Sequence, residues 1–256
     1  MTEDTNWDPL RAKLDQWQND GRALRLWLRD DDAVEPTPQL DRLLNLVTNH
    51  AVPIALAVIP GKTGKPLADR LSNTERIEVS VHGWTHTNHA PADQKKMELG
   101  LHRPIETVLG ELATGFATLQ ALHGSRFVPL LVPPWNRVAT EVMAGAVAIG
   151  FEACSIYGPE KPAPLPQINT HVDIMNWRGG GGGHTPERLV PALIAALEDS
   201  LEHGRAVGVL THHLVHDDVA WNGLEQLMRL TASHPAVRWL PVGQLMDELP
   251  RVTTTD

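Results

Sequence analysis

The chain carries 22 lysines and arginines against 31 aspartates and glutamates over 256 residues, a formal charge of −9. An acidic balance of that size is unsuited to gripping nucleic acid or an anionic membrane, so neither is expected as a partner. A hydrophobic content of 42% and a charged content of 21% exclude global disorder, and the single cysteine, Cys154, excludes both an intrachain disulfide and a multi-cysteine metal site.

Residues 1–20 read as an N-terminal helical extension, too polar for an export signal, and no apolar run approaches the roughly 18 residues of a membrane helix. The expectation is a cytoplasmic protein. Residues 23–29 (ALRLWLR) alternate as a first strand, and Thr37-Pro38 opens an amphipathic helix over 39–50 with leucines at 40, 43, 44 and 46. The run IALAV after Pro53 is a buried strand, 66–71 a short helix and 77–81 a third strand. The longest helical pattern covers 104–123, with a strand at 127–132 behind it. Further strand and helix pairs read at 138–156, at 172–175 with 186–203, and at 206–210 with 222–233, before a last strand at 237–240.

Strands alternating with helices predict a parallel sheet with crossover helices. Seven or eight such units in about 230 residues fit an α/β fold, a distorted (β/α) barrel forming a single domain over 21–250, with a tail at 251–256. A doubly wound open sheet is the alternative. The run Gly179–Gly183 is expected to be flexible unless a ligand or neighbour orders it.

Residues able to do chemistry cluster just after the predicted strands, which in a barrel of this kind converge on one face. Asp30-Asp31-Asp32 follows the first strand, and like charges so close raise one another's pKa unless a cation offsets them. The triplet reads either as an Asp-rich turn or as a metal carboxylate beside a general base. His82 and His86, four apart, can share a cation, and with one carboxylate they would make the two-His-one-carboxylate set typical of catalytic zinc. Pro133-Pro134 leaves Trp135 with the next free amide. His212 and His213 end a strand and should point to opposite sides, so that one can enter a site while the other packs.

Taken together these segments resemble the polysaccharide deacetylase family of carbohydrate esterases, which remove N- or O-acetyl groups from chitin, peptidoglycan or xylan. The family's Thr-Phe-Asp-Asp-Gly motif, followed by Thr-Pro, is similar to LRDDDAVEPTP, where Thr37-Pro38 sets Asp30 and Asp31 on the two family aspartates. His-Ser/Thr-x-x-His resembles HGWTH at 82–86, with Gly83 at the small polar position. Arg-x-Pro-Tyr/Trp resembles LVPPWN at 131–136, an Asp four before a Trp matches Asp173 and Trp177, and Leu-x-His matches Leu210-Thr211-His212.

The resemblance implies a metal site of Asp31, His82 and His86 holding a divalent ion, zinc for preference, with Asp30 as general base. It implies His212 as the acid that protonates the leaving group, tuned by Asp173, and an oxyanion site at the Trp135 amide lined by Pro134 and Trp177. Val132 stands where the family carries an arginine that pairs with the base, and Arg29 or Arg137 could supply that charge. Asp32, in place of a glycine, could itself be base or ligand, and His213 could replace His212 as the acid. The expected activity is hydrolysis of a C–N amide bond, the deacetylation of an N-acetylated sugar or related amide, with a small molecule or oligosaccharide as substrate. The alternatives are a metal-independent hydrolase of ureides or imides on the same fold, and a non-catalytic carbohydrate- or metal-binding protein.

Overall fold

The computed structural model describes residues 5–249; the expected tail at 251–256 lies outside them. In chain order the elements are α1 (Asp8–Asn19), β1 (Leu24–Ala33), α2 (Pro38–Asn49), β2 (Ile54–Val58), α3 (Lys65–Ser72), β3 (Ile77–His82), α4 (Ile105–His123) and β4 (Phe127–Val132). The second half holds α5 (Thr140–Ile149), β5 (Ala153–Cys154), β6 (Thr170–Asp173), α6 (Pro186–His203), β7 (Val207–Thr211), α7 (Asp218–Thr231), β8 (Val237–Trp239) and α8 (Val242–Asp247). All pairings between these strands are parallel, in the order β5-β4-β3-β2-β1-β7-β6, with β8 beside the first residues of β1. The two ends of that path meet only through irregular backbone, where Tyr157 bridges Thr170 and Cys154 bridges Gln167. This is a distorted (β/α) barrel in a single domain.

Alternation along the strands divides the core in two. Leu24, Leu26 and Leu28 of β1, Ile54, Leu56 and Val58 of β2, and Val79 and Val81 of β3 pack against the surrounding helices. Trp27, Ala55, Ala57, Leu130, Val132 and Ala153 fill the inside of the curled sheet. Val242, Leu245 and Met246 of α8 join that inner cluster and close the end of the barrel remote from the polar strand ends. α8 has no counterpart among the helices expected from the sequence. α1 lies against α6 and buries Leu10, Leu14 and Trp17, so the N-terminal helix shares the helix-side core.

β1 runs four residues beyond its apolar alternation, through the aspartate triplet to Ala33. Its pairing with β2 slips there, from Asp30↔Leu56 to Ala33↔Val58. The glycine run is ordered by its neighbours. The Gly179 and Gly181 amides donate to the Asn176 carbonyl, the Asn176 amide to the Gly182 carbonyl, and the Gly183 amide to Asp217 at 2.9 Å. Among the described residues no helix is long and apolar enough to cross a membrane.

Candidate active site

The three aspartates occupy three environments. Asp30 is fully buried, accepts the His213 amide at 2.8 Å and forms a short contact with His213 Nδ1. Asp31 follows Arg29 on the inner face of the sheet. Its Oδ2 accepts from Arg29 Nη2 at 3.0 Å, and its Oδ1 lies 2.9 Å from Arg29 Nε. Arg29 is itself buried, and also donates to the Ser155 carbonyl, to Ser155 Oγ at 2.7 Å and to Asn136 Oδ1 at 3.1 Å. Strict alternation would send Asp32 to the helix side with Asp30. The register slip and a φ of 72° at Asp32 turn its carboxylate instead toward the histidines.

Asp32 Oδ1 lies 3.2 Å from His82 Nε2 and 3.4 Å from His86 Nε2. These three residues form the candidate cation site among the described residues. The carboxylate that meets the two imidazoles is therefore Asp32, where the resemblance implied Asp31. Asp31 and Asp30 are engaged by Arg29 and His213 instead.

The donor set fits a divalent cation. His82 Nδ1 donates to the Val132 carbonyl at 2.9 Å, which leaves the Nε2 lone pair facing Asp32, the tautomer a metal requires. Asp32 Oδ1 is buried with no hydrogen-bond partner, which is costly for a carboxylate oxygen unless a cation completes it. Burial opposes ionisation of Asp32, yet the electrostatic pull of His82, His86 and His212 holds its carboxyl well below the usual range. Burial likewise works against a charged His82, but Asp31 and Asp32 outweigh it and raise its pKa. At His86, burial and the neighbouring His82 lower the pKa, favouring the neutral, ligating form.

Strained backbone concentrates here. Asp32, His86, Trp135 and Asn136 are four of the six non-glycine residues described with positive φ, the others being Ala51 and Arg76. The turn behind Pro133 and Pro134 places the Trp135 ring 4.3 Å from that of His86 and points Asn136 at Arg29. Arg137 donates to the Lys96 carbonyl at 3.0 Å, away from Asp31. Arg29 thus provides the charge beside the aspartates, and Val132 provides a carbonyl for His82.

His212 and His213 diverge as their alternation predicts. His213 is buried on Asp30, and His212 Nε2 sits 3.9 Å from Asp31 Oδ2. The His212 ring meets Trp177 edge-on at 4.8 Å. Trp177 Nε1 in turn donates to Asp173 at 2.9 Å, and Asp173 also accepts the Met175 amide. Burial raises the Asp173 pKa.

One residue of the site had no motif to mark it. Glu98 is buried, and its carboxylate accepts from the amides of Trp84, Thr85 and Thr87, in the loop that carries His86. A lone glutamate in a long polar loop gives no such signal. Its role depends on where the loop folds.

No family model matches this sequence, and no curated protein matches it either. Solved structures do match. A candidate polysaccharide deacetylase from Mycobacterium smegmatis superposes with a TM-score of 0.69 at 16% identity, over 92% of this chain and 95% of that one. A family 4 acetyl xylan esterase from Clostridium thermocellum, in complex with cobalt, gives 0.57 at 14% identity over 87% and 90%. A family 4 carbohydrate esterase pseudoenzyme from Bacillus anthracis gives 0.59 at 16% identity over 88% and 66%. At these identities the similarity is one of architecture, and the chain has the fold of the polysaccharide deacetylases.

Proposed function

We propose that this protein is a metal-dependent hydrolase that removes an acetyl group from an N-acetylated sugar or a related amide. The observation that carries the reading is the convergence of Asp32, His82 and His86, with the His82 tautomer set by Val132, beside an arginine-paired Asp31. A divalent ion held by these three residues, zinc for preference, would acidify a water to a pKa near 7 and offset negative charge developing on the scissile carbonyl.

The remaining chemistry belongs to the chain. Asp31 is the base that accepts the proton of the attacking water, and Arg29 holds it in place. His212, held edge-on by Trp177 and 3.9 Å from Asp31, delivers a proton to the leaving nitrogen. Asp173 orients that assembly through the Trp177 indole. The Trp135 amide, at the strained turn behind Pro134, is the candidate donor to the oxyanion. Asp30 and His213 support the site from the helix side. Structural neighbours that include an acetyl xylan esterase and a peptidoglycan deacetylase favour a carbohydrate substrate.

The likeness to a pseudoenzyme supports a second, non-catalytic reading. Against it, Arg29 pairs with Asp31 and supplies a buried charge that Val132 cannot. The test is metal analysis of untagged protein followed by acetate release from small N-acetyl sugars and chitooligosaccharides, with chelator controls. One equivalent of metal and chelator-sensitive acetate release are expected. Metal without turnover on any acetylated substrate would favour the binding protein, and turnover untouched by chelator would favour the metal-independent hydrolase.

A further inference from the structure

His86 is not held by a regular element. It follows the last residue of β3 by four positions, has a left-handed φ of 56°, and still places Nε2 within 3.4 Å of Asp32. What gives this loop its shape is a buried carboxylate. Glu98 is 1% exposed. Its Oε1 accepts the Thr85 amide at 2.9 Å, the Thr87 amide at 3.0 Å and Thr85 Oγ1 at 3.2 Å, and its Oε2 accepts the Trp84 amide at 3.0 Å. Four donors from one short loop therefore converge on one anion, and charge-assisted bonds of this kind are about twice as strong as neutral ones.

The neighbourhood is arranged to keep the carboxylate on the loop. No lysine or arginine among the described residues forms an ion pair with Glu98. The nearby Arg103 is engaged bidentately by Glu111 at 2.8 and 2.7 Å. Glu98 is itself anchored through the next residue, because the Leu99 carbonyl accepts the Ala139 amide at 2.8 Å and Leu99 bridges Val138. Gly83 makes the room. Its φ is +59°, and a Cβ there would lie 2.6 Å from Pro134 Cγ and closer still to Glu98 Oε2.

We propose that Glu98 is a positioning residue that presets His86 opposite Asp32 and His82, so that the cation site exists before a cation arrives. The proposal rests on the metal reading of the triad. Its mechanism is separable from that reading, because Glu98 acts on loop amides and touches none of the three ligands. Without the carboxylate, binding a cation would also have to order residues 83–87, and that ordering cost would be subtracted from affinity.

The experiment compares wild type with Glu98→Gln, measuring zinc affinity by chelator competition and hydrogen exchange at the Trp84, Thr85 and Thr87 amides of the metal-free protein. The expected result is a 10- to 100-fold weaker zinc affinity and faster exchange at those three amides, with cooperative unfolding retained. Zinc affinity within twofold of wild type would overturn the proposal and leave the metal reading standing. A wild type that takes up no metal would overturn both, and is a distinct outcome. Should Glu98→Gln fail to fold, Thr85→Val removes one of the four donors, and a severalfold loss of affinity is expected; an unchanged affinity there overturns the proposal equally.

Discussion

Asp30, Asp31 and Asp32 differ only in what meets them, and that difference makes them separable by substitution. Asp32→Asn weakens the single carboxylate facing both imidazoles, so protein carrying it should purify without metal. Asp31→Asn leaves the triad intact; it should keep one equivalent of metal while acetate release falls by about 10²–10⁴, the range of a lost general base. Elemental analysis beside a turnover assay checks both. Asp30→Ala should retain metal but strand His213 in a buried site, costing on the order of 3–5 kcal/mol in denaturant unfolding. At Gly83, where both φ and space forbid a side chain, Gly83→Ala should destabilise the loop by at least about 1 kcal/mol and weaken metal binding with it.

The element whose role was least visible is α8. Its short sequence VGQLMD carries neither a side-chain cap nor a long apolar period, so nothing in it distinguishes a helix from the end of a frayed chain. In place it caps the inner core with Val242, Leu245 and Met246, and the Gly243 amide donates to Glu78 of β3 at 3.1 Å. Leu245→Ala should therefore cost about 2–4 kcal/mol by thermal or urea unfolding, with metal content unchanged because the polar site lies at the other end of the strands. α2 was legible for the opposite reason. Thr37 Oγ1 accepts the Leu40 amide at 3.0 Å and Pro38 occupies the first turn, a start signal readable from composition alone. Thr37→Ala should cost about 1 kcal/mol.

For the whole molecule, buried histidines contribute to the response to acid. Burial and Arg126 hold His123 at a pKa of about 4, below its ordinary value. The unfolded chain therefore binds a proton that the folded chain refuses between roughly pH 6.5 and 4, and folding stability falls as pH drops through that window. His216, buried against Trp221 and pushed to about 4 by burial, acts in the same sense. His213 acts oppositely. Asp30 raises its pKa despite burial, so its contribution is full below the unfolded value and is lost as pH rises through the folded one. Replacing His123 isolates one term. His123→Gln should reduce the loss of unfolding free energy between pH 6.5 and 4.5 by on the order of 2 kcal/mol, measured in urea at each pH.

Apart from α8, strand and helix order, the parallel sheet and the gathering of reactive residues at the strand ends were readable in the chain. Apolar alternation, proline and cap signals are local, and parallel connectivity follows from them. The two histidines four apart were legible for the same reason. Which aspartate meets them was not, because three identical neighbours leave the choice to a register slip and one left-handed residue within β1. The arginine that steadies Asp31 comes from β1 rather than from the turn behind β4, and only the curl of the sheet brings Ser155 and Asn136 to it. Glu98 lies further still from any motif. Sequence determines which side chains can do chemistry and on which elements they ride; packing decides which of them meet, because contacts between distant segments depend on how the barrel closes.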